Sequence, residues 1–208
     1  KDVLSHLIFH RNQLTTIKPG LTRFNDEICF VDAPSEYLIY VGDRRPHKNL
    51  KKMIDVFNQV RQYNECENLH FLIVGSKQEF GQDIGALIES TKNVSSISNV
   101  SDEELNYLYQ NAKSLFFMTK YEGFGLPVIE AWSWQIGIIT SDVGATKEIA
   151  PDGSLLLAPN MCSEKAARAV ARYLNSDKRP KTFDKFDNNW DFVGEEFAKL
   201  ISRIISNP

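Results

Sequence analysis

No stretch of these 208 residues holds the roughly 18 consecutive apolar side chains that a membrane-crossing helix needs, and the N-terminal segment lacks the apolar core of a secretory signal. The expectation is a soluble, cytoplasmic chain. Cysteine is scarce: Cys29, Cys66 and Cys162 are odd in number and widely scattered, without a spacing that closes a zinc site. They read as reduced, mostly buried thiols, and no metal is expected, because Asp-x-Asp is missing too. Positive charge is not in excess. Lys+Arg 24 against Asp+Glu 27 leaves a net −3, so no global field draws the chain onto nucleic acid. The absence of GxxxxGK[ST] excludes a P-loop NTPase, and the absence of GxGxxG argues against a dinucleotide-dependent oxidoreductase. Two Asn-x-Ser sequons, at Asn93 and Asn99, carry meaning only in a secretory compartment that nothing else supports.

What is present is the composition of a globular protein, 42% hydrophobic and 25% charged, arranged as strand-like runs alternating with helical periodicity. That alternation predicts right-handed βαβ units and a doubly wound parallel sheet, a Rossmann-like α/β fold. Strands are expected at 37–41, 69–74, 94–97, 114–118, 136–140 and 154–157. Leu50, Met53, Ile54, Phe57 and Val60 fall on one helical stripe. Ser101 followed by Glu104 forms a capping box, which starts a helix carrying Leu105, Leu108, Tyr109 and Ala112 inward. Two helices close the chain, one from about Ser163 and one from about Asn189, joined by a surface connection over 177–185. Residues 1–35 fit the rhythm poorly and read as a hinge or linker segment, a remnant of another unit; residues 36–208 read as the sheet domain.

In open parallel sheets ligands bind beyond the carboxyl ends of the strands. The most unusual loop there is Thr119-Lys120-Tyr121-Glu122-Gly123-Phe124-Gly125-Leu126-Pro127-Val128-Ile129-Glu130. Its glycines permit close backbone approach, and Pro127 suits the first turn of a helix. The helix then presents unpaired N–H groups and a positive dipole end to the ligand face, a cradle for phosphate. Glu122 and Glu130, eight positions apart, can face one cleft. A carboxylate accepts two hydroxyl hydrogen bonds at once, which suits a ribose diol or adjacent sugar hydroxyls.

The segment from Glu122 to Glu130 resembles the Glu-x7-Glu signature of retaining glycosyltransferases of family four, in their C-terminal, donor-binding domain of GT-B fold. The likeness extends to Tyr40-Val41-Gly42, Pro46, Lys48-Asn49-Leu50, Leu72 to Gly75, Val100 to Leu105, Leu108-Tyr109, Ala112, Ser141 to Gly144, Glu148-Ile149 and Trp190, with Ile17 to Leu21 similar to the hinge strand that enters this domain. It implies transfer of a sugar from a UDP- or GDP-linked donor to an acceptor hydroxyl on a glycan, a lipid or another compound, with retention at the anomeric carbon. It implies no cofactor beyond that donor substrate. Glu130 would hold the ribose, and Glu122 with the backbone amides of Phe124, Gly125 and Leu126 the donor sugar. Lys48 would neutralise the diphosphate, while Gly42 and Val100 line the nucleotide's place. The family often carries an arginine five positions before this lysine, where this chain has Asp43; Arg44 or Arg45 substitutes, and Arg45 is preferred. A complete enzyme needs an N-terminal acceptor domain as partner, and the full-length enzyme can lie at a membrane surface.

Two alternatives belong to other classes: a sugar-nucleotide epimerase of GT-B architecture, and a non-catalytic nucleotide-binding module. The remaining polar and aromatic residues take structural readings. His47, His6, His10 and His70 are expected to be solvated or structural, Trp132 and Trp134 to pack, and Lys77 to lie on the surface.

Overall fold

Apolar runs too continuous to leave one face wet force the strands into a sheet covered on both sides. The computed structural model describes residues 15–17, 19–20, 27–78, 80, 83–176, 180 and 190–206. Two compact units emerge, Phe24–Asp184 and a smaller one made of Lys1–Arg23 with Lys185–Pro208. In the larger unit β1 (Tyr37–Val41), β2 (His70–Val74), β3 (Val94–Ile97), β4 (Ser114–Phe117), β5 (Gly137–Ser141) and β6 (Leu155–Leu157) are all parallel, in the order β3-β2-β1-β4-β5-β6. This is the doubly wound order with its switch point between β1 and β4. Register is full between β1 and β2, from Tyr37 opposite His70 to Val41 opposite Val74.

Among the described residues six helices cover this sheet: α1 (Leu50–Val60), α2 (Ile84–Ser90), α3 (Asp102–Asn111), α4 (Leu126–Ser133), α5 (Gly144–Ile149) and α6 (Ser163–Leu174). The expected stripe of α1 is buried, and Phe57, Phe71 and Phe116 form a ring-to-ring chain with centroids 5.6 and 5.5 Å apart. Each such side chain contributes about 1.5–3 kcal/mol by leaving water. α6 packs against α1. Where they meet, the Ser163 hydroxyl donates to Asp55 and accepts from the Lys52 ammonium at 2.6 Å. The capping box of α3 is complete: the Ser101 hydroxyl accepts from the Glu104 N–H, and the Glu104 carboxylate accepts from the Ser101 N–H at 2.7 Å.

The expected strands are present with bounds shifted by at most a residue: β2 begins at His70, β4 ends at Phe117 and β6 begins at Leu155. α5 was not expected, because six residues are too few to display a helical period. Strand β5 begins at Gly137 rather than Ile136, and its neighbour Ile136 is still buried. Of the three cysteines, all free, only Cys66 is buried; Cys29 lies in the extended lead-in to β1 and Cys162 caps α6, both exposed. In the smaller unit the helix α7 spans Trp190–Ser206, as its apolar repeat predicts, with no residue buried. Asn189, His6, His10, nearly all of the expected connection 177–185, and Lys18 and Leu21 of the hinge segment lie outside the described residues.

Candidate active site

The ends of β1 and β4 lie side by side, and the loops leaving them are tied together by three residue pairs. The Lys120 N–H donates to the His47 carbonyl at 2.8 Å. The Asn49 side chain donates to the Met118 carbonyl at 2.9 Å and to that of Pro159 at 3.4 Å, from a residue held at φ +62°. The third tie joins two charges. Lys48, in the 3-10 turn Pro46–Lys48, places its ammonium 2.8 and 3.1 Å from the two Glu122 carboxylate oxygens. That ammonium also sits 5.5 Å above the centre of the Phe117 ring. The two charged side chains are 15% and 10% exposed, so little solvent screens them and each depends on the other for compensation.

Backbone packing at these strand ends is close. Gly75, at φ +139°, donates to the Ile97 carbonyl, and a Cβ on it would lie 2.1 Å from the Gly42 carbonyl oxygen. Gly42 in turn donates to Val74 at 2.9 Å. At the start of α4, Gly125 adopts φ +92°, and a Cβ there would press on Ile149 and Thr146 at 3.2 Å. Phe124 and Leu126 flank it, Phe124 half-buried and Leu126 exposed, with Pro127 in the first turn. Pro127 carries no N–H and the Val128 N–H donates to the Gly125 carbonyl at 2.9 Å, so of residues 126–128 it is the Leu126 amide that the first turn of α4 presents beyond the end of β4.

Glu130 sits one turn deeper, bound to Tyr109 of α3, whose hydroxyl donates to its Oε2 at 2.7 Å. Burial lifts the Glu130 carboxyl above its ordinary value; the Tyr109 bond opposes that rise, and the charge of Asp102 adds to it. Val100, half-buried against the core, closes the β3–α3 loop just before the Ser101 cap. Arg45 is exposed, bonded to Asp43 at 3.2 Å, with its guanidinium 5.5 Å above the Phe80 ring. Arg44 turns inward and reaches Ser96 on β3 at 3.2 Å. Beside the site, a cleft of about 1120 Å³ between α1 and α2 is walled by Pro46, Asn49, Lys51, Lys52 and Lys120 and by neither Glu122 nor Glu130. Trp132 and Trp134 pack against the core and Lys77 is exposed, as read; His47 contributes its carbonyl, and His70 faces the Asn68 carbonyl.

Residues 24–190 match the family model described as glycosyl transferases group 1. The chain belongs to that family. Among curated relatives it is similar to the O-antigen chain mannosyltransferase B of Escherichia coli, 30% identical over 128 residues, covering 60% of this chain and 33% of that protein. It is also similar to the O-antigen chain mannosyltransferase RfbU of Salmonella typhimurium, 28% identical over 155 residues, covering 73% and 41%. The group 1 chain thus spans well under two thirds of these relatives. Among solved structures, sucrose-phosphate synthase from Thermosynechococcus elongatus superposes with a TM-score of 0.72 at 20% identity, over 92% of this chain and 53% of that one. WaaG, a glycosyltransferase involved in lipopolysaccharide biosynthesis, gives 0.67 at 19%, over 84% and 51%. These likenesses show the Rossmann-like half of the GT-B fold.

Three residues that support the candidate site residues were given no such role by the sequence reading. Asn49 aligns the Lys48 loop, Phe117 lies beneath the ammonium, and Tyr109 holds Glu130. The last had a signal: a tyrosine on the buried face of a helix must find a partner for its hydroxyl, whereas leucine would serve packing alone.

Proposed function

We propose that this chain is the donor-binding half of a glycosyltransferase that moves a sugar from a nucleotide-linked donor, UDP or GDP, to an acceptor hydroxyl with retention of configuration. The observation that carries this reading is the Lys48–Glu122 pair at the switch point, set beside the N-terminus of α4. A departing nucleoside diphosphate gains negative charge as the glycosidic bond breaks. Lys48 and the α4 backbone amides around Phe124, Gly125 and Leu126 stabilise that charge by electrostatics alone. Arg45 joins them by leaving Asp43, an exposed pair worth about 0–1 kcal/mol. Released from Lys48, the Glu122 carboxylate turns to the hydroxyls of the donor sugar as a positioning and electrostatic group, neither nucleophile nor general base. Glu130 accepts from the ribose hydroxyls, with Gly42 and Val100 bordering the nucleotide.

The acceptor, a glycan, lipid or other hydroxyl compound, is held by an N-terminal acceptor domain, and the whole enzyme works in the cytoplasm or at its membrane face. No helix among the described residues is long and apolar enough to cross a membrane. Group 1 membership and the mannosyltransferase relatives support transfer over the epimerase and the non-catalytic module. The test is calorimetry with UDP, GDP, ADP and their sugars. One diphosphate should bind in preference to the others and to its bare nucleoside; indifference to the diphosphate would leave only a non-catalytic module.

A further inference from the structure

A glutamate that grips a diol must have its rotatable bonds fixed before it can do so without an entropic cost. Glu130 is fixed from outside its own helix. Tyr109 of α3 is fully buried, and its hydroxyl donates to Oε2 at 2.7 Å. α3 is anchored ahead of that contact, by the Ser101–Glu104 capping box at its start and, one residue before Tyr109, by the Tyr37 hydroxyl, which donates to the Leu108 carbonyl at 2.6 Å. Burial first, and then the Glu130 charge, hold the Tyr109 phenol well above its usual pKa, so it remains a donor at any working pH. Among the described residues no donor reaches Oε1, and that oxygen is not sealed in the interior.

Resting on the reading of Glu130 as the ribose-binding carboxylate, we infer that Tyr109 is a positioning residue whose hydroxyl locks Glu130 in the rotamer that offers Oε1 to the ribose diol of the donor. The bond crosses from α3 to α4, so it also sets the distance between the loop after β3, which borders the base, and the helix that borders the sugar. A brace that merely joined two helices would affect every ligand alike. A brace that aims one carboxylate affects only ligands that possess the diol.

The experiment compares GDP with 2′,3′-dideoxy-GDP by calorimetry on the complete polypeptide, with the corresponding UDP and ADP pairs in parallel so that the base the site accepts selects the pair scored. Tyr109→Phe should lower ribonucleotide affinity about five- to twentyfold and leave the dideoxy affinity within about twofold. Tyr37→Phe is the control, because it deletes a buried hydroxyl on the neighbouring residue's carbonyl without touching Glu130; it should lower thermal stability and preserve the ribose-to-dideoxy ratio. Equal losses for both ligands in Tyr109→Phe, or no loss, would overturn the positioning role. Glu130→Gln separates the two levels. If it preserves the wild-type ratio, the ribose reading fails and the inference with it; if it collapses the ratio while Tyr109→Phe does not, only the inference fails.

Discussion

Lys48 and Glu122 are 74 residues apart in sequence and 2.8 Å apart in the fold, each nearly buried and each neutralising the other. The pair occupies the spot where a nucleotide-sugar's diphosphate and sugar meet in the proposed complex. In that proposed complex donor binding is an exchange of partners, with phosphate oxygens replacing the Glu122 carboxylate at the ammonium.

Truncating the ammonium tests one side of that exchange. Lys48→Ala should lower nucleoside diphosphate affinity about tenfold, near 1.4 kcal/mol, a value held down by the ion pair that wild-type protein gives up on binding. Affinity for the bare nucleoside should hold, since an ammonium attracts only the phosphates. Calorimetry with both ligands reads the difference, and equal losses would mean that Lys48 serves the loop's structure.

The two neighbouring arginines should separate by phenotype. Arg45→Ala removes an exposed side chain and should weaken diphosphate binding about three- to tenfold with the melting temperature unchanged. Arg44→Ala removes a buried side chain bonded to Ser96 and should lower the melting temperature by several degrees. Melting curves and diphosphate titrations of both variants check this, and the reverse assignment follows if Arg44→Ala alone weakens the diphosphate while the fold holds.

Much of the fold is legible in the sequence. Runs such as Tyr37–Val41 and His70–Val74 stop at a glycine, and the stripe of α1 repeats at helical spacing, so the elements and the parallel α/β class follow from local pattern, whereas the strand order β3-β2-β1-β4-β5-β6 does not. The pairing of Lys48 with Glu122 had no local signature, because it depends on β1 and β4 becoming neighbours across the switch point. Asn49 looked like a loop residue for the same reason; its partners, the carbonyls of Met118 and Pro159, are contributed by other strands' ends. Arg44 and Arg45 are adjacent and chemically alike, and only the course of the backbone after Gly42 decides which one is buried.

Gly75 at the end of β2 and Gly123 in the loop between β4 and α4 should respond unequally to the same change. In Gly75→Ala the new methyl meets the Gly42 carbonyl oxygen in a backbone conformation that L residues rarely adopt, which costs about 1–3 kcal/mol in strain before the clash is counted. Gly123→Ala meets nothing within 4 Å. Urea unfolding should show a large drop for the first and almost none for the second; comparable midpoints would contradict the close approach of the two strand ends.

Glu130 should leave a signature in the pH dependence of stability. Its carboxyl is raised chiefly by burial, so the folded state holds that proton more tightly than the unfolded chain does. Its contribution is therefore greatest below the ordinary carboxylate value and declines as pH rises through the higher folded value, by about 1.4 kcal/mol per unit of elevation. Glutamine cannot titrate. The stability of wild type relative to Glu130→Gln should fall across that window and level off above it, and a constant difference by urea unfolding would place Glu130 in water.

The most direct measurement is the diphosphate affinity of Glu122→Gln. If Lys48 must leave Glu122 to receive the donor, removing the carboxylate's charge frees the ammonium in advance, and UDP or GDP should bind a few fold more tightly than to wild type, about 0.5–1 kcal/mol. In the complete enzyme the same variant should lose kcat, because the contact to the sugar is the one that strengthens as the glycosidic bond breaks. Tighter diphosphate binding in Glu122→Gln is the result this account predicts. Weaker or unchanged binding would contradict the exchange of partners at Lys48.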